Sequence, residues 1–147
     1  MAASAKFFFS EIEKTDIVNA IKAAEKVTSG EIRVHVENTF KGEIFDRAVF
    51  VFEKLKMHNT KDRNGVLIYL AIKSRQFVII GDAGINSKVG QTFWDDVKEV
   101  MLKHFKEARF ALGLSVAIEQ VGAKLKSYFP HQEDDINELS DDISFDV

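Results

Sequence analysis

The sequence of 147 residues contains no cysteine. Without a thiol group, the chain can form no disulfide bond, no cysteine-ligated zinc site and no thiol nucleophile. The lack of cysteine does not decide the compartment, because a secreted protein need not contain this residue. Disulfide-stabilised folds and thiol enzymes are therefore excluded.

Long apolar runs are also missing from the sequence. A helix that spans a bilayer needs roughly 20 apolar residues, and no run in this chain approaches that length. Near the N-terminus, a cluster of three phenylalanines at residues 7–9 is soon followed by charged residues. This cluster is shorter than the apolar core of a signal peptide, which has about 7–15 residues. We therefore expect a cytoplasmic protein without a membrane partner.

The formal net charge of −3 is unevenly distributed. Residues 131–147 contain seven Asp and Glu residues and no Lys or Arg, which leaves residues 1–130 with 20 basic and 16 acidic side chains, a net charge of +4. So weakly positive a body does not form a nucleic-acid-binding face, and we expect no nucleic-acid partner. An acidic block can stay solvated or fold back onto the body, and we expect a mostly solvated tail.

A chain of this length suits one domain. The apolar periodicity predicts a single α/β domain over residues 1–130, followed by an acidic C-terminal tail over residues 131–147. The predicted element order is α-β-α-β-β-α-α, which favours a three-layer α/β/α sandwich around a small mixed central sheet.

The local signals for these elements differ along the chain. Ser10 and Glu13 form a capping box at the start of the first helix. Alternation places Arg33 and His35 on the side of the first strand that faces away from the core. The predicted elements are helices that begin near Ser10, Phe45, Val89 and Ala111, and strands over Glu31–Glu37, Val66–Ile72 and Phe77–Ile80.

The connections between the strands bring several polar side chains to one edge of the predicted sheet. The first two strands are joined by a helix and should be parallel, whereas the second and third are joined by a tight connection and should be antiparallel. Carboxylate and amide oxygens are the ligands that Ca²⁺ and Mg²⁺ prefer, so this edge is a candidate metal site. The residues at this edge are Glu31, Asp62, Asn64 and Asp82.

The same edge is a candidate phosphate site. The third helix is predicted to begin near Asn86–Ser87, and helix N-termini favour anions. Arg63 and Asn64 would position a phosphate whose oxygens bridge to the metal. Asp95 and Asp96, about a turn or more into this helix, could add a metal ligand directly or through water.

A purely structural interpretation of these residues stays open. In this interpretation, Asp82 forms an Asx-turn and nothing more. Gly81 and Gly84 then serve to allow unusual backbone angles. The sequence contains neither a P-loop nor a His-Glu-x-x-His motif. Ser74 and Ser87 have no adjacent histidine base, so a serine hydrolase is not indicated.

Four segments of the sequence together resemble the TPM domain family. RNGVLIYLA at Arg63–Ala71 places an Asn-Gly pair before an apolar strand, and QFVIIGDAGIN at Gln76–Asn86 follows after a short linker. TSGEI at Thr28–Ile32 and VGQTFW at Val89–Trp94 add to the resemblance, which covers roughly residues 10–130. The tail also resembles a stand-alone branch of the family in which the domain is the entire protein.

The resemblance implies an α/β/α sandwich that binds Ca²⁺ or Mg²⁺. Some family members are described as acid phosphatases or nucleotide phosphohydrolases, and others as accessory factors in photosystem repair or at the cell envelope. Many members carry a signal sequence or a membrane helix, and this sequence shows neither. The family commonly has Gly-x-Gly at the end of the third strand, whereas this chain inserts a carboxylate and reads Gly81, Asp82, Ala83 and Gly84.

Three functions are compatible with these residues. In a metal-dependent phosphohydrolase, a cation held by Asp82, Glu31 and Asp62 would polarise a phosphoryl oxygen and orient a water. Arg63 and Asn64 would then hold a phosphorylated small molecule or a nucleotide, although no residue stands out as a general base. In a non-enzymatic adaptor or regulatory module, the cation would order the edge loops for a protein partner. The third possibility is a structural domain without a metal.

Overall fold

The structure is a computed structural model that describes residues 5–133 and 136–145. Three acidic residues of the predicted tail, Asp134, Asp135 and Asp146, lie outside the described residues. Within the described ranges, no helix is long and apolar enough to cross a membrane.

The elements follow the predicted order, with one short helix added after the third strand. A 3-10 turn over Ala5–Phe7 precedes the first helix. The helices are α1 (Glu11–Ala24), α2 (Ile44–Lys54), α3 (Ala83–Asn86), α4 (Asp95–Lys106) and α5 (Phe110–Lys126). The strands are β1 (Glu31–Glu37), β2 (Gly65–Ala71) and β3 (Gln76–Gly81).

The three strands form one mixed sheet in the order β1-β2-β3. β1 and β2 are parallel, with Glu31 opposite Gly65. β2 and β3 are antiparallel, with Val66 opposite Gly81. Both predicted strand directions are confirmed.

The sheet lies between two helical layers, as the sequence predicts. Helices α1, α4 and α5 pack on one face, against side chains such as Val34 and Ile68. Helix α2 packs on the other face, against Leu67 and Tyr69. Because successive residues of a strand point to opposite faces, β2 is covered on both sides, and all its residues are buried.

The predicted start of the third helix is wrong. The chain forms the four-residue α3, passes through turns, and begins α4 at Asp95 instead of near Val89. Gly90 disfavours a continuous helix, and the acidic Asp95 and Asp96 favour a helix start at their own position. These two side chains therefore open α4, and Asn86–Ser87 end α3 instead of starting a long helix.

The described part of the C-terminal tail lies against the body. Ser144 forms a parallel bridge with His35 at the outer edge of β1. The Ser144 N–H donates to Val34 O, and the Ser144 carbonyl accepts from Val36 N–H, both at 3.0 Å. Leu139, which is 9% exposed, joins the core on the α2 side. The expectation of a solvated tail holds for residues 131–133 and 136–138, which are exposed, but is wrong for Leu139 and residues 143–145. The latter segment covers a strand edge that would otherwise be open to pairing.

Candidate cation site at the sheet edge

The start of β1, the start of β2 and the end of β3 meet at one edge of the sheet. The N–H of Glu31 donates to the carbonyl of Asn64 at 3.2 Å, and the N–H of Asp82 donates to the carbonyl of Gly65 at 2.9 Å. The predicted convergence of three segments is therefore present. What the side chains do there differs from the prediction.

Asp82 is engaged by its neighbours on both oxygens. Arg63 donates from Nε to Oδ2 and from Nη2 to Oδ1, each at 2.8 Å. Oδ1 also accepts from the Ala83 N–H at 2.7 Å, which caps the start of α3. The carboxylate therefore has a local role at the turn and a second role as the ion-pair partner of Arg63.

Gly84, two residues after Asp82, is required because the backbone of the loop before β2 lies close to it. The Gly84 N–H donates to the Arg63 carbonyl at 2.8 Å. A Cβ atom at Gly84 would collide with the carbonyl oxygens of Asp62 and Arg63. The segment Asp82–Gly84 thus holds the loop before β2 by both its backbone and its carboxylate.

Glu31, the first residue of β1, is a buried carboxylate with an incomplete set of partners. The residue is 3% exposed, and its Oε1 accepts from the N–H of Leu139 in the tail at 2.7 Å. Its Oε2 is buried and has no hydrogen-bond partner among the described residues. Burial raises the pKa of Glu31 to about 7, and the neighbouring carboxylate of Glu138 contributes to the increase.

A second carboxyl pair joins the body to the tail beside Glu31. Glu25, which follows α1, accepts from the Ile32 N–H at 3.2 Å and lies beside the carboxyl group of Asp141. Burial, together with Asp141, raises the pKa of Glu25 to about 9. Asp141 Oδ1 is buried, with no hydrogen-bond partner in the described part of the chain. Two neighbouring carboxyl groups are stabilised by a shared proton or by nearby positive charge, and the charge of Arg33 interacts with Asp141 and Asp142.

The other residues predicted to hold a metal or a phosphate are placed less favourably. Asp62 and Asp95 are exposed, and Asp96 forms an ion pair with Lys124 of α5 at 2.9 Å. Asn64 is only 2% exposed, so its amide is not open to a ligand. Within the described residues, no three Asp, Glu or His side chains are grouped so that they could hold a metal ion together.

Residues 4–124 match the family model of the TPM domain. The chain belongs to the TPM domain family. The converging strand ends and the segment Asp82–Gly84 lie within the matched residues. No curated protein matches the chain.

Several solved structures share this TPM fold. The BA42 protein from the psychrophilic bacterium Bizionia argentinensis is 50% identical over 95% of this chain and 96% of its own, with a TM-score of 0.90. The N-terminal domain of a P. gingivalis protein is 18% identical over 86% of this chain and 83% of its own, with a TM-score of 0.71. The N-terminal domain of the cg2496 protein from Corynebacterium glutamicum is 17% identical over 90% of each chain, with a TM-score of 0.64. The two more distant structures share the fold alone.

A buried polar cluster on the α2 side of this TPM domain is not indicated by the strand pattern. Glu37 accepts from Arg47 Nε at 2.9 Å and Nη2 at 2.6 Å, and from the Tyr69 hydroxyl at 2.6 Å. The ring of His35 lies between Glu37 Oε2, at 3.0 Å, and Ser144 Oγ, at 2.6 Å. His35 lies on the face of the sheet opposite to Val34, as the alternation predicts, but the expectation that this face is not buried is wrong, because His35 is 0% exposed and stacks on Tyr69. A tyrosine inside an apolar strand, whose hydroxyl needs a partner, is the sequence signal for this cluster.

The cluster strongly favours the ionised form of Glu37. Burial alone would raise the pKa of Glu37, but the hydrogen bonds from Arg47, Tyr69 and His35 outweigh burial and hold this pKa at about 2. Burial lowers the pKa of His35 below its ordinary value. The cluster is thus a satisfied structural network, whereas the carboxyl pairs at the sheet edge are not.

Proposed function

We propose that this TPM domain binds a divalent cation, Ca²⁺ or Mg²⁺, which compensates the carboxylates that join the tail to the sheet edge. The observation that carries the proposal is Glu31 Oε2, which is buried without a hydrogen-bond partner among the described residues. A charged oxygen left without a partner in such a position is costly. Hard cations bind carboxylate oxygens and would remove that cost.

The residues that would hold the cation come from both the body and the tail. Glu31 and Glu138 form one pair, and Glu25 and Asp141 form the other. Because Ca²⁺ takes roughly 6–8 oxygen ligands, backbone carbonyls and waters would complete either pair. Of the ligands predicted from the sequence, Glu31 belongs to this set, whereas the oxygens of Asp82 are taken up by an ion pair.

This arrangement supports a regulatory module better than a phosphohydrolase. The hydrolytic mechanism needs Asp82, Glu31 and Asp62 around one cation, but Asp82 is paired with Arg63 and Asp62 is exposed. A cation between the body and the tail would instead fix the position of the tail. A protein partner would recognise the surface that forms when the cation holds the tail in place.

The test is a titration of the chelator-treated, ¹⁵N-labelled full chain with Ca²⁺ and with Mg²⁺. We expect amide shifts at residues 24–32 and 136–142. Glu31→Gln keeps the side-chain shape and should weaken the affinity by about tenfold or more. Asp95→Asn removes an exposed carboxylate that the sequence also predicts as a ligand, and it should leave the affinity unchanged.

The opposite pattern would contradict the proposal. Shifts confined to residues 95–96, or an affinity that falls in Asp95→Asn and not in Glu31→Gln, would place the cation elsewhere. The same samples should be assayed for phosphate release from p-nitrophenyl phosphate and from nucleotides. Metal-dependent turnover that is lost in Glu31→Gln and retained in Asp95→Asn would favour the phosphohydrolase instead.

A further inference from the structure

A groove lies between α2 and β3, on the face of the sheet that α2 covers. Its volume is about 440 Å³, which falls within the range of about 300–1,000 Å³ found for small-molecule sites. Its apolar walls are Val49, Phe52 and Ile80, of which Val49 and Ile80 are half-buried. The polar residues that line it are Glu53, His58, Arg63 and Asp82.

Arg63 is held in one position at the rim of this groove. Its backbone has a φ angle of 49°, which is disfavoured for a residue with a side chain. Its N–H donates to Thr60 O at 3.3 Å, and its carbonyl accepts from Gly84 N–H at 2.8 Å. Asp82 fixes the guanidinium through Nε and Nη2. A strained backbone with this many constraints directs the side chain to a defined place.

The outer edge of the same guanidinium is available to a ligand. The Arg63 side chain is 50% exposed, whereas that of its partner Asp82 is 5% exposed. Nη1 has no acceptor among the described residues. A planar guanidinium can bind one carboxylate on its Nε edge and a second oxyanion on its Nη1–Nη2 edge.

The segment that precedes Arg63 carries a small excess of positive charge. Residues 53–62 contain three Lys, one Glu and one Asp, a net charge of +1. Asp82 is compensated by Arg63, and Glu53 is the opposing carboxylate at the rim. His58 is exposed and adds a further polar side chain on the same side.

We infer that this groove binds a small organic anion that consists of an apolar body and one carboxylate or phosphate group. The apolar body packs against Val49, Phe52 and Ile80, and the oxyanion accepts from the outer edge of Arg63. Asp82 is a positioning residue that orients the guanidinium. The groove shares no residue with the carboxyl pairs of the cation site, so this inference does not depend on cation binding.

The test uses the ¹⁵N-labelled full chain in chelator, titrated separately with benzoate, phenyl phosphate and benzyl alcohol. We expect saturable amide shifts at residues 49–53, 58, 63 and 80–82 with at least one of the two anions, and much weaker binding of the uncharged alcohol. The anion that binds more tightly identifies the preferred oxyanion. An absence of saturable shifts with both anions, or equal binding of benzyl alcohol, would overturn the inference.

Variants separate the ligand contact from a general effect on the fold. Arg63→Met should weaken binding of the preferred anion by about tenfold or more. Arg75→Met is the matched control, because Arg75 also has a positive φ angle, 54°, but lies in the β2–β3 connection away from the groove. Val49→Phe fills the groove while leaving the ion pair of Arg63 intact, and it should weaken binding too. Unchanged affinity in Arg63→Met and Val49→Phe would refute the site.

Discussion

Replacing Tyr69 with Phe would measure the contribution of the buried polar cluster to stability. Tyr69 is 0% exposed, and its hydroxyl donates to Glu37 Oε1 at 2.6 Å. The ring is retained in Phe, so the variant loses the hydrogen bond without opening a large cavity. Hydrogen bonds to charged groups contribute about 1.5–3 kcal/mol. We expect the free energy of unfolding to fall by about 2 kcal/mol, which for a domain of this size lowers Tm by about 4–8 °C.

The pH dependence of this loss follows from Glu37. Its pKa is about 2 in the folded protein and 4.5 ordinarily, so its charged form is favoured by folding. The stability that it contributes is present above its ordinary pKa and is lost as the pH falls towards about 2. Since Tyr69 stabilises the charged form, the difference between the wild type and Tyr69→Phe should narrow as the pH falls below about 4.5.

Urea unfolding followed by circular dichroism at several pH values is the appropriate assay. The control is Tyr128→Phe, because Tyr128 is 40% exposed and no hydrogen bond of its hydroxyl is present among the described residues. This control should change stability by less than about 0.5 kcal/mol. An equal loss of unfolding free energy in Tyr69→Phe and Tyr128→Phe would refute the role given to Glu37. A difference in unfolding free energy between the wild type and Tyr69→Phe that does not change with pH would refute it too.

Two further predictions concern the sheet edge. Gly84→Ala should destabilise the protein by more than about 1 kcal/mol in thermal melts, because its Cβ would collide with the Asp62 carbonyl. Gly90→Ala, whose Cβ meets no atom within 4 Å, should not. In chelator, stability should fall as the pH rises from about 4.5 to about 7, because the raised pKa of Glu31 lets the folded state keep a proton that the unfolded state releases. Glu31→Gln should flatten this part of the pH profile, and a profile that is unchanged in the variant would contradict the assignment.

The sheet topology could be predicted because the connections decide it. A helical crossover between β1 and β2 requires parallel strands, and the short connection before β3 requires antiparallel ones. The meeting of Glu31, Asn64 and Asp82 at one edge follows from those two facts. The family resemblance supported the same fold, and the match to the TPM domain over residues 4–124 agrees with it.

The partners of these side chains could not be predicted from local patterns. The ion pair of Asp82 joins residues 19 positions apart, and the hydrogen bond from Leu139 to Glu31 joins residues 108 positions apart. Periodicity reports which face of an element is apolar, not which distant side chain meets it. The charge of the tail favoured a solvated segment. Of the apolar side chains between its acids, Leu139, Ile143 and Phe145 contact the core, whereas Ile136 is 80% exposed.

The docked tail creates the electrostatic problem that the proposed cation would solve. Leu139 and the bridge at Ser144 hold the tail in place, and this brings its carboxylates against Glu25 and Glu31, which carry the same charge. Protonation can relieve the repulsion at low pH, and the proposed cation would relieve it where the carboxyl groups are ionised. A cation that binds only the docked tail must stabilise the docked state by mass action, by about 2.7 kcal/mol at one hundred times its Kd. By the same linkage, any change that loosens the tail must weaken cation binding. The tail anchors and the carboxyl pairs therefore act on the same equilibrium between the docked and the undocked tail.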